Sequence, residues 1–299
     1  MTDIDQHATA QCPMQGESQN PQINGLPRFA DVGWILDTDS AQLIWFEPKR
    51  VKTIKPERLH AKSLARCPAV LDNDSRLFEV LCPFDLEIGF RRDKDGKPTL
   101  VNLLGDQSPV RSSKLGQLIT LVNESEWAHP ERPVVQIITP YLVVTDEPVY
   151  VNQLPPFKHW RAKPLPGVMV SGRFPADIWP RHLMWAFEWY DIKQPISLRR
   201  GEPWWYLRFD HFDPSRPIRM IPAQMTEELR EYMKGVRGVT NYVNQTYQLF
   251  QIAKERRPKI LLQPKTQRSS HAESPELQAT INAEAEILAV QLARHPTPE

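Results

Sequence analysis

The chain is poor in cysteine and glycine and has no excess of charge of either sign. Its three cysteines, Cys12, Cys67 and Cys82, are odd in number and form no CxxC pair, which excludes a disulfide framework and a zinc knuckle. The 12 glycines are outnumbered by 29 prolines. Proline breaks helix interiors and central strands, so many short elements joined by extended segments are expected. Lys and Arg total 37 and Asp and Glu 36, a balance that gives no global field to draw in nucleic acid or an anionic membrane. No apolar run approaches the roughly 18 residues of a membrane helix. The opening "MTDIDQHATAQCPMQGESQNPQ" lacks the basic and apolar regions of a secretory signal. A reducing cytoplasm, the cell's own or a host's, is the expected compartment. Serine-hydrolase elbows, P-loops and dinucleotide fingerprints are missing too.

What is present is mostly of period two. Residues 1–25 are polar and predict a disordered tail. From 26 to 222, short β-branched and aromatic runs alternate with turn signals. "VGWIL" and "AQLIWFE" flank the turn "DTDS", and a short helix is expected from Pro56. "RLFEVL" and "DLEIGFRR" are separated by Pro83, and "DG" at 95–96 marks a hairpin. "QLITLV", "PVVQIITPYLVV", "PVYVNQL", "GVMVSGRF", "LMWAFEWYDI", "PISLRR" and "PWWYLRFDHF" follow. Eight to ten strands are the inventory of an antiparallel β-sandwich of jelly-roll, or double-stranded β-helix, type.

After Pro222 the period lengthens. Leu229, Met233, Val236, Val243, Tyr247 and Phe250 lie three, four or seven apart, as on one helical stripe. Thr226 is the expected N-cap, Gly235 and Gly238 predict a kink or break, and Pro258 ends the helix. The stripe needs a partner, either the sandwich or a second copy of itself. The second is favoured, giving a homo-oligomer through 226–256. Residues 263–299 read as a polar linker and a short helix with Ile281, Ala285, Leu288 and Leu292 on one face.

Several word-like stretches, "RCPAVLDNDSRLFEVLCPFDLEI", "TDEPVYVNQLPPF" and "RGEPWWYLRFD", resemble a family of tailed-phage proteins, marine ones especially, that also has members in some bacteria. The resemblance covers roughly residues 65–215. It implies a β-sandwich-like fold and phage or bacterial company. No activity is assigned to that family, so it implies no catalytic residue.

Five groups of residues bear on chemistry. Trp204, Tyr206, Arg208 and Asp210, taken as alternating on one strand, would line a polar ligand pocket. His211 and Asp213 have the spacing that opens a two-His-one-carboxylate Fe(II) site, as in a cupin-like oxygenase or hydroxylase. Trp179, Trp185, Trp189, Trp204 and Trp205 would serve a sugar- or nucleobase-binding face if exposed, but period two makes them core. Of the neighbours Trp204 and Trp205, one is expected to point inward and one outward. Cys67 and Cys82 lack an electropositive setting for a reactive thiol. "KERRPK" and "RRGEP" are solvated clusters rather than nucleic-acid sites. The balance favours a non-catalytic binding or assembly protein without cofactor. Residues 152–180 would be a loop face for a protein or small-molecule ligand. The iron enzyme and the sugar- or nucleobase-binding module are the alternatives.

Overall fold

The computed structural model describes residues 29–38, 45–52, 63–239 and 246–265. The tail 1–25, the helix expected from Pro56 and the terminal helix with Ile281 and Leu288 lie outside them. The described chain is mainly β. Its strands are β1 Ala30–Leu36, β2 Lys49–Arg50, β3 Leu77–Leu81, β4 Leu86–Arg92, β5 Pro98–Asn102, β6 Ile119–Leu121, β7 Val134–Val144, β8 Val149–Leu154, β9 Gly167–Met169, β10 Gly172–Pro175, β11 His182–Trp189, β12 Ile196–Leu198, β13 Pro203–His211 and β14 Ile218–Pro222. The helices are α1 Pro68–Ser75, α2 Leu115–Leu118, α3 Glu227–Val239 and α4 Thr246–Arg256.

Three sheets form. The first runs β14-β1-β7-β11-β9, with β6 also on β7; the second runs β10-β8-β13-β3-β2; the third runs β12-β4-β5. Pairing is not antiparallel throughout, because β1 and β14 run parallel, with Ala30 opposite Ile218. The expected single strand "GVMVSGRF" is two. Its first half, β9, pairs with β11 in the first sheet, and its second half, β10, pairs with β8 in the second. The hairpin at "DG" joins β4 to β5 through Gly96, whose positive φ of 77° only glycine adopts freely. Trp45, Phe46 and Glu47, expected at the end of a strand, have no strand conformation.

Pro140 sits inside the long strand β7 without breaking the sheet. There Thr139, Pro140 and Tyr141 lie opposite the single residue Leu183, so the register shifts and no ladder bond needs the missing N–H. The Thr139 hydroxyl donates to the Leu183 carbonyl at 2.8 Å.

Inward residues of all three sheets meet in one core. Val135, Ile137 and Trp185 come from the first sheet, Val151, Leu207 and Phe209 from the second, Leu86, Ile88 and Leu198 from the third. Trp185, Phe187 and Trp189 share the inner face of β11 as the alternation predicts, with pattern half-buried and buried in turn. Trp185, Trp189, Trp204 and Trp205 have no exposed surface. Each such side chain removes about 150–250 Å² from water, contributing about 4–6 kcal/mol as an upper bound.

The helical stripe covers the outer face of the first sheet. Leu229, Val236, Leu249 and Ala253 pack with Ile35 of β1 and Leu142 and Val144 of β7. The buried part of the stripe thus lies against the sheet. Thr226 caps α3 as expected, its hydroxyl accepting from the Leu229 amide at 3.1 Å. One stripe does not continue through both helices: Tyr247 is 87% exposed, and Leu249 and Ala253 are the buried residues of α4. Val243 lies outside the described residues. Among them no helix is long and apolar enough to cross a membrane.

Candidate functional site

The residues expected to line one pocket are divided between two faces of β13. A β-bulge is the cause. Pro203 pairs with Leu81 and Trp205 with Val80, so Trp204 is an extra residue against one step of β3. Both tryptophans therefore enter the core, and neither points outward. Tyr206, Arg208 and Asp210 occupy the opposite, outer face, alternating with the inward Trp205, Leu207 and Phe209. There Arg208 donates to Asp210 at 3.0 Å, and Asn152 donates to the other Asp210 oxygen at 2.8 Å. Tyr206 packs with Val51, Leu77 and Leu154. Burial, and then the charge of Glu79, push its phenol up to about 12.

His211 and Asp213 have separate work in the turn that follows. The Asp213 amide donates to His211 Nδ1 at 2.9 Å, and His211 Nε2 lies 3.4 Å from the Glu147 carboxylate, which also pairs with Arg216 at 2.7 Å. The Asp213 carboxylate accepts from the Ser215 hydroxyl and amide, which hold it below the usual carboxylate range. Among the described residues, no three His, Cys, Asp or Glu side chains are grouped as a metal ion would need. Cys67 and Cys82 are free thiols. Burial pushes Cys82 up to about 12, so it is protonated and a poor nucleophile at neutral pH.

A pocket does form, on the expected loop face. It is a cavity of about 540 Å³ along the segment Pro155–Met169, backed by the buried core side chains Trp185, Phe187 and Trp204. Trp185 stacks on Phe187 at 5.2 Å and meets Trp204 at 5.6 Å. One wall is the stretch "PPFKHWRAKP" at 155–164, whose prolines exclude helix and favour an extended path. Three anchors fix it. Phe157 meets the Tyr206 ring edge-on at 5.4 Å. Lys158 pairs with the buried Asp74 carboxylate at 2.5 Å. Arg161 donates to the Pro203 carbonyl at 3.2 Å and lies 3.4 Å from Glu202. Gly167 closes the far side, where β9 runs so near β11 that a Cβ would stand 2.1 Å from the Glu188 carbonyl.

Several polar atoms around this pocket have no hydrogen-bond partner. The buried indole N–H groups of Trp185 and Trp204, Arg161 Nε and His159 Nε2 reach no hydrogen-bond partner in the protein. His159 Nε2 is 3.9 Å from Glu202, beyond hydrogen-bond range. By contrast, the equally buried Trp189 donates to two carbonyls, of Asp191 and Gln194. A buried unpaired donor costs about 1–3 kcal/mol, so several around one cavity are a feature to explain. At the rim, Trp160 is 82% and Phe157 57% exposed.

Of the four expected pocket residues, only Trp204 belongs to this site. His159, Trp160 and Arg161 line the cavity as well. Their signal was present as aromatic and basic residues interleaved between prolines, in a loop too short to form a core. No family model matches the chain, and neither a curated protein nor a solved structure does.

Proposed function

We propose that this chain is a non-catalytic binding module. A jelly-roll-like β core carries it, and the loop face 152–180 takes a ligand at the rim formed by Phe157 and Trp160. The observation that carries this reading is the set of unpartnered polar atoms around one aromatic cavity. A pocket with an apolar lining and a few convergent polar groups is the usual form of a ligand site. Tryptophan on the rim adds a flat surface on which a ring can stack. The resemblance of residues 65–215 to the tailed-phage family supports phage or bacterial company for the module.

Intrinsic fluorescence tests this directly. Titration with a panel of ring-bearing ligands, neutral oligosaccharides, nucleosides and nucleotides, is expected to change the emission with at least one. Trp160→Ala is expected to weaken that response without moving the melting temperature, since the side chain is almost entirely in solvent. Emission that stays flat across the whole panel overturns the reading.

A further inference from the structure

We infer that the ligand of this loop face is a single-stranded nucleic acid, with a base in the cavity and its neighbours stacked on the rim. The inference rests on the binding reading above and narrows it to one chemistry.

The lining decides between sugar and nucleotide. A sugar presents hydroxyls that both donate and accept, and its sites supply carboxylates and amides to match. The residues lining this cavity include no Asp, Glu, Asn or Gln. They offer the imidazole of His159, the guanidinium of Arg161 and the ammonium of Lys158, groups suited to donating. Base carbonyls, ring nitrogens and phosphate oxygens are acceptors and meet that set. The exposed rings of Trp160 and Phe157 at the rim favour a flat face.

Charge points the same way. Between Glu147 and Asp177 the chain has no acidic residue, yet it has Lys158, Arg161, Lys163, Arg173 and His159. This is a local asymmetry in a chain whose net charge is +1. The carboxylates that face the loop come from other elements. Asp74 pairs with Lys158, Glu202 lies near Arg161 and His159, and Glu79 feels Lys49, Lys52 and His159. Five fixed cations, Lys49, Lys52, Lys158, Arg161 and Lys163, thus stand against three carboxylates. Exposed aromatics interleaved with cations bind single strands without base pairing, because every base has a face to stack and every linkage a charge. A duplex hides those faces.

The test uses the full chain and a fluorescent oligothymidylate of about ten nucleotides, followed by anisotropy. Binding is expected, and with three phosphates neutralised it should weaken about 10- to 20-fold between 50 and 200 mM salt. Trp160→Ala is expected to weaken it about 5- to 150-fold, the range for loss of one stacked base. Lys163→Glu, at an exposed position, should weaken it and flatten the salt dependence. The duplex of the same length should bind more weakly than the strand. A strand that does not bind, or binds equally well in Trp160→Ala, overturns the inference. In that case a neutral oligosaccharide that changes the Trp160 emission leaves the binding module standing, whereas silence from the sugars, nucleosides and nucleotides removes both.

Discussion

Lys158 and Asp74 are 84 residues apart in sequence, and their pair decides where the pocket loop lies. Asp74 is 5% exposed at the end of α1, and the Lys158 ammonium reaches it at 2.5 Å. A carboxylate so deeply placed is costly without a counter-charge, so removing the ammonium costs more than the pair itself contributes. Because the Lys158 side chain is still 31% exposed, water softens the loss. Lys158→Ala is expected to destabilise the fold by about 1–3 kcal/mol, read as a lower urea midpoint at unchanged slope. An unchanged midpoint would show that the pair does not hold the loop. Such a contact was not legible in the sequence, since nothing in "PPFKHWRAKP" names a carboxylate on another element. The bulge at Trp204 was equally hidden. Strict alternation predicts one inward and one outward tryptophan, and only the extra residue against β3 brings both inside.

At the scale of elements, local chemistry was legible and sheet membership was not. The "DG" turn, the Thr226 cap, the inner face of β11 and a short strand within "PISLRR" all follow from spacing over a few residues. The partition of "GVMVSGRF" between two sheets follows from partners 18 and 19 residues away, Phe187 for Met169 and Gln153 for Gly172. A period-two run carries no mark of that. The closing of the chain end is of the same kind. Arg257, just past α4, donates to the Asp177 carbonyl at 2.6 Å and to the Asp146 carboxylate at 3.0 Å. That carboxylate also accepts the Leu261 amide at 2.6 Å. The planar fork binds two directions at once, which a lysine does not reproduce. Arg257→Ala and Arg257→Lys are both expected to release residues 258–265 from the turn between β7 and β8. Faster amide exchange at Leu261 and Leu262 is the measurement. Slow exchange retained in the lysine variant would mean that charge alone, and not the fork, fastens the segment.

For the whole molecule, a core assembled from three sheets encloses groups that ionise only at high pH. Burial pushes Cys82 from 9.0, and Tyr206 and Tyr232 from 10.0, up to about 12, and raises Tyr141 as well. Folded values above unfolded ones mean that the native state favours the neutral forms. The stability they contribute is complete below about pH 9 and is lost as pH climbs towards 12. The four groups lie in three clusters. Cys82 and Tyr141 are in the common core, Tyr206 is beneath the pocket loop, and Tyr232 is between α3 and the sheet. Loss of neutrality in each cluster therefore loosens a different layer, and the layers share strands β7 and β13. The urea midpoint is expected to be level from pH 7 to 9 and then to fall steeply. Tyr206→Phe removes one of the titrating groups and its hydrogen bond to the Lys158 backbone. It should cost about 1 kcal/mol at pH 7 yet make the fall between pH 10 and 12 shallower than in the parent chain. A parallel fall in the two proteins would show that the Tyr206 phenol ionises in the folded state as readily as in the unfolded one, and that the pocket loop leaves it open to water.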